Sequence, residues 1–141
     1  MFFANDSRDA LRQRWFDAWQ RRLQLLPLEP LDAAIADVIA LHPEYQPLLA
    51  TPDALHRPYT VEHGQTNPFL HMGLHLGLRE QLATRRPAGI ETVHARLLKR
   101  CGDTHSAEHL MIEVLATTLW DAQRAGRAPD EQAYLERLRK L

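Results

Sequence analysis

Apolar side chains in this chain return every three or four residues, inside segments that prolines and glycines cut short, and nowhere alternate with β-branched residues. A period near 3.6 gives a helix one continuous apolar face, whereas a half-buried strand needs a period of two. The pattern therefore restricts the chain to helices that each bury one stripe against neighbours, an all-α bundle. About four main helices with one or two short accessory ones are expected, in a single domain over residues 1–141. A chain of 141 residues is long enough to bury most of its apolar surface without disulfides.

Leu11, Trp15, Phe16, Trp19, Leu23 and Leu26 mark a first helix from Ser7 to about Leu25, with Pro27 ending it and the two tryptophans as core anchors. Pro30 suits a first turn, and Leu31, Ile35, Val38 and Ile39 carry a second helix to the His42-Pro43 break. HPEYQPLLA leaves room for one short helical piece, and TPDALHRPYTVEHGQT over 51–66 reads as a long loop. Asn67 is a good cap and Pro68 a good first residue for a helix running to about Arg85. Another covers Ile90 to Arg100 with Gly102 closing it, and Asp103 or Thr104 caps the next, which continues through Trp120 and stops at Gly126. Pro129 opens a last helix bearing Tyr134, Leu135 and Leu138.

The net charge of -1 argues against nucleic acid as a partner, since Asp9, Asp17 and Glu91 dilute the basic clusters at Arg12, Arg14, Arg21, Arg22, Arg96, Lys99 and Arg100, which read as solvated faces. Cys101 is alone, so no disulfide closes within the chain and a reducing, cytoplasmic setting is expected. MFFANDSRDA turns polar where a secretory signal would stay apolar, and no run reaches membrane-spanning length.

At 100° per residue, His71, Leu74, His75, Leu78 and Leu82 share one stripe, and so do His105, Glu108, His109, Ile112, Ala116, Leu119 and Trp120, with Glu113 at its edge. Both imidazole pairs therefore point inward. One helix separates the two stripes in sequence, so if each link reverses direction they run parallel, with an axial offset of about 3 Å between His71 and His105. Two His at i and i+4 converge on one ion, and burial near a helix N-terminus keeps imidazole neutral and able to donate. His71, His75, His105 and His109 are accordingly the expected ligands of one divalent metal. Glu108 is the candidate general base or outer partner, and Glu113 a further partner of the ligand histidines. Four nitrogens suit zinc first, with Ni or Cu as alternatives, while a carboxylate ligand would shift the preference to Fe or Mn. His42, His56, His63 and His94 read as surface imidazoles, His42 and His63 lying close enough to the irregular stretch to lend a ligand.

HSAEH from His105 resembles the inverted zincin motif, His-x-x-Glu-His, in which both histidines bind zinc and the glutamate activates water. The likeness covers five residues, in a chain far smaller than those peptidases. NPFLHMGLHLGLREQ from Asn67, RPAGI from Arg86, HSAEHLMIEVL from His105 and the WDAQRAGRAPDEQAYLERLR tail together resemble a small bacterial family, domain of unknown function number eighteen forty-one, and HPEY at His42 fits it too. That resemblance implies a bacterial single-domain protein and assigns no catalytic residue.

Two readings follow. In one, an open ligand position on the metal supports hydrolysis or group transfer on a small-molecule substrate. In the other, the His and Glu residues form a metal-free polar network in a protein-interaction module, with apolar surface on the Trp15 helix or the last helix binding a partner or a second copy.

Overall fold

The computed structural model describes residues 8–51, 53 and 67–141. The expected loop over 51–66, with His56 and His63, lies almost entirely outside them. Six α-helices and one 3-10 helix stand in order among the described residues: α1 Arg8–Leu23, α2 Pro30–Ala40, the 3-10 helix Pro43–Ala50, α3 Pro68–Thr84, α4 Ile90–Cys101, α5 Thr104–Ala125 and α6 Glu131–Arg139. None of these residues forms a strand. The fold is all-α, with somewhat more helices than the expected four plus one or two.

The helix ends follow local chemistry. Asn67 Oδ1 accepts the Phe69 and Leu70 amides, both at 3.1 Å, and opens α3. Gly102 and Gly126 take left-handed φ values of 84° and 68° and close α4 and α5, as glycine at such positions does without steric cost. Asp130, rather than Pro129, caps α6, its Oδ1 accepting the amides of Gln132 at 3.0 Å and Ala133 at 3.1 Å. α1 stops at Leu23 because Leu25 turns left-handed, φ 57°, and the Leu26 amide reaches back to the Arg21 carbonyl at 2.9 Å. Pro43 and Pro47 bring no amide donor, and the segment Pro43–Ala50 that holds them winds as a 3-10 helix.

Packing divides the chain into two compact units, Met1–Met72 and Gly73–Leu141. In the first, α1 packs on α2 and the 3-10 helix packs on both. Trp15, Ala18 and Trp19 of α1 and Ile35, Val38 and Ile39 of α2 are buried, whereas Leu23 and Leu26 of the expected α1 stripe are exposed, at and just past the end of the helix. Arg14 Nε meets Asp32 Oδ1 at 2.9 Å and Arg22 Nη2 meets Asp37 Oδ1 at 2.8 Å, exposed pairs worth at most about 1 kcal/mol each. Arg12 departs from the solvated face expected of it: the residue is buried, with its guanidinium 4.9 Å from the Phe69 ring centre.

In the second unit α4 packs on α5 and α6, and α5 on α6. Ile90, Val93 and Leu97 of α4, Met111, Ile112 and Leu115 of α5 and Leu135 and Leu138 of α6 make one core, which Leu78 of α3 joins. Each such side chain contributes about 1.5–3 kcal/mol through burial. Trp120, expected inward, is 60% exposed. The 22-residue α5 outruns the 12-residue α4 packed on it, so one stripe is not covered along its whole length.

Tyr134 is buried, and its hydroxyl donates to Gln81 Oε1 at 2.7 Å. Burial pushes its phenol well above the ordinary value of 10.0. A raised folded-state value makes the contribution of Tyr134 complete below pH 10 and progressively lost above it. Tyr134→Phe is therefore expected to cost about 1 kcal/mol at neutral pH, by leaving Gln81 with one bond fewer. It should also flatten the alkaline fall in stability, as read from urea denaturation between pH 8 and 11.

Candidate metal centre

Asp103 begins the site. Its Oδ1 accepts the Ser106 amide at 2.7 Å and its Oδ2 the Ser106 hydroxyl at 2.8 Å, bonds that hold its carboxyl below the ordinary range and start α5 in register. From that start, helical periodicity brings His105, Glu108 and His109 to one face. His75, in the middle of α3, meets them. Its ring stacks on that of His105, with centres 5.2 Å apart and planes 7° from parallel, and lies 5.0 Å from that of His109. The His105 and His109 rings are 4.2 Å apart. One ring nitrogen from each of the three lies within 4.8 Å of the other two, and His75 Nε2, His105 Nδ1 and His109 Nε2 are all buried.

Glu108 stands behind this set. Its carboxylate is 2% exposed, and Oε1 accepts from His75 Nδ1 at 3.1 Å. Arg79, one turn along α3 from His75, binds the same carboxylate twice, Nε to Oε1 at 3.0 Å and Nη2 to Oε2 at 3.2 Å. Burial raises the Glu108 carboxyl, but the bonds from His75 and Arg79, with the Arg79 charge, outweigh it and hold the group below its ordinary value. Because ionised Glu108 only accepts, the proton on this edge of His75 sits on Nδ1, and in the neutral ring Nε2 then carries the lone pair. Tetrahedral Zn–N bonds of about 2.0–2.1 Å place donors about 3.3 Å apart, inside the 4.8 Å limit within which the three nitrogens lie.

The structure thus brings together His75, His105, His109 and Glu108. His71 belongs to the first unit, where its ring lies edge-on to His42 at 5.2 Å and to Tyr45 at 6.0 Å. Glu113 is exposed, its backbone carbonyl accepting the Thr117 hydroxyl at 3.0 Å. His42 is not the surface imidazole expected: it is fully buried, Nδ1 donates to the Val38 carbonyl at 2.8 Å, and the ring stacks on Tyr45 at 5.5 Å. Burial, then the charge of Glu44, raises the Tyr45 phenol. The signal for His42 was present, since it continues the buried Ile35, Val38, Ile39 stripe by one step. Arg79 was also missed, although its place four residues after His75 puts it on the same face of α3. His94 is half-buried rather than at the surface.

Residues 7–140 match the family described as Domain of unknown function (DUF1841). The chain belongs to that family. No curated protein and no solved structure matches it. A crevice of about 340 Å³ between α5 and α6, lined by residues that include Asp121, Arg127, Tyr134 and Arg137, contains none of the histidines.

Glu108→Ala removes a buried carboxylate that serves two partners, and loss of one member of a buried charged pair typically costs several kcal/mol. Arg79, 27% exposed, can turn to water, whereas buried His75 cannot. The expected loss is roughly 3 kcal/mol in metal-free protein, measured by urea denaturation with chelator present. A loss below half of that would show that the three groups are not coupled.

Proposed function

We propose that this protein is a helical metalloprotein, a single domain over residues 1–141, whose His75, His105 and His109 hold one divalent ion. One family model covering both compact units supports the single domain. The observation that carries the metal reading is the convergence of three buried ring nitrogens from two helices within 4.8 Å. An imidazole-only set favours zinc, with Ni and Cu behind it; Fe and Mn become weaker candidates because both Glu108 oxygens already serve Arg79 and His75. Three neutral ligands leave the ion doubly positive, which suits water or an anion in the next position and so metal-assisted hydrolysis or group transfer on a small substrate. In this reading Glu108 orients His75 and is not the general base. His71, grouped with His42 and Tyr45, and exposed Glu113 are given no role.

The second reading is a metal-free interaction module. The His75–Glu108–Arg79 bonds favour it, since they hold the Glu108 carboxylate without an ion, as do Leu23, Leu25 and Leu26, exposed by 59%, 91% and 43%. No helix among the described residues is long and apolar enough to cross a membrane, so those leucines belong to no spanning helix.

Elemental analysis of protein purified without a His tag is expected to find roughly one metal ion per chain, lost in His75→Ala, His105→Ala and His109→Ala and kept in His71→Ala. Melting temperature should rise with added zinc and fall with chelator. No metal in the parent protein, with melting indifferent to chelator, would select the interaction module. Loss of metal in His71→Ala would restore the four-histidine set.

A further inference from the structure

We infer that Arg79 is the positioning residue of this site: by clamping Glu108, it holds His75 as the Nδ1–H tautomer and leaves Nε2 as the donor. The inference rests on the metal reading for its consequence and on hydrogen-bond geometry for its substance.

A carboxylate alone does not fix an imidazole. Glu108 has three side-chain torsions, and either oxygen can accept from either ring nitrogen after a rotation. The guanidinium removes that freedom. Its Nε and Nη2 take Oε1 and Oε2 at 3.0 Å and 3.2 Å, a two-point contact that sets the plane of the carboxylate as well as its position. Oε1 is then left facing His75 Nδ1 at 3.1 Å. Arg79 and His75 are one turn apart on α3, while Glu108 lies on α5 between His105 and His109, so the clamp also joins the two helices that supply the donors. Arg79 is itself only part-buried, at 27% exposure, so its charge need not be fully stripped of water to do this. Partners of this kind behind a ligand histidine commonly change metal affinity by about 10–100-fold.

The test uses the full chain, labelled with ¹⁵N and stripped of metal, in three forms: the parent, Arg79→Lys and Arg79→Met. Long-range ¹H–¹⁵N correlation of the histidine rings, with the His75 signals assigned by their disappearance in His75→Gln, is expected to show one Nδ1–H tautomer in the parent. Arg79→Met should show a mixture, and Arg79→Lys, which keeps one contact, a smaller departure. Zinc alone, titrated against a chromophoric chelator, should bind at least about tenfold more weakly to Arg79→Met, with Arg79→Lys between. Circular dichroism confirms that each variant is folded, and Arg79→Lys keeps the test readable if Arg79→Met is not. An Nε2–H tautomer in the parent, or identical tautomers in all three forms, overturns the inference, as does equal zinc affinity in the presence of a tautomer change. If the parent binds no zinc and the tautomer still shifts in Arg79→Met, the clamp stands and the metalloprotein reading fails.

Discussion

The polar layer of the second unit depends on one buried carboxylate. Glu108 sits among Ala107, Met111 and Ile112 on the inner face of α5, where an isolated charge would be too costly to keep. It is kept because two α3 side chains one turn apart reach the same pair of oxygens, Arg79 with a full charge and His75 with a ring N–H. That arrangement turns a liability into a constraint. Once Oε1 and Oε2 are committed, the His75 ring has one favoured orientation, and the α5 histidines on either side of Glu108 have a fixed neighbour to face.

How far this could be read from the sequence depends on the distance over which each feature is decided. Helix positions and stops were legible, because periodicity, the Asn67 and Asp103 caps and the glycines at 102 and 126 act within a turn or two. The inward direction of His75, Glu108 and His109 was legible for the same reason. Arg79 was not, since an arginine on a helix gives no sign of whether its fork meets water or a carboxylate 29 residues away. Arg12 failed similarly: a cluster with Arg14, Arg21 and Arg22 looks solvated until Phe69 is found beneath one member. His42 is a different kind of miss. It sits past the end of α2, beside the Pro43 break, yet it completes the buried stripe, and its bond to Val38 is the i to i−4 contact that stripe implies.

The two units treat their histidines differently, and the contrast bears on chemistry. In the first, His42 gives its Nδ1 proton to a backbone carbonyl and stacks on Tyr45, with His71 edge-on. In the second, His75 gives the same proton to a carboxylate that an arginine partly neutralises. A carbonyl and a carboxylate both select the Nδ1–H tautomer, but the carboxylate raises the electron density of the opposite nitrogen more. Of these two imidazoles, His75 is thus made the stronger donor by its partners.

That polarisation also decides what Glu108 can do. The inverted zincin pattern casts the glutamate as the base that activates a metal-bound water, which needs a carboxylate oxygen turned toward the water and free to take a proton. Here Oε2 is held by Arg79, and Oε1 by Arg79 and His75 together, and those bonds keep the group's basicity below that of an ordinary glutamate. A carboxylate so held is a weaker acceptor for a proton from a metal-bound water than an ordinary glutamate would be. On the proposed metalloprotein reading, the same residues at the same spacing favour orientation over proton transfer, because Glu108 is shared with Arg79 of α3, a partner from outside HSAEH.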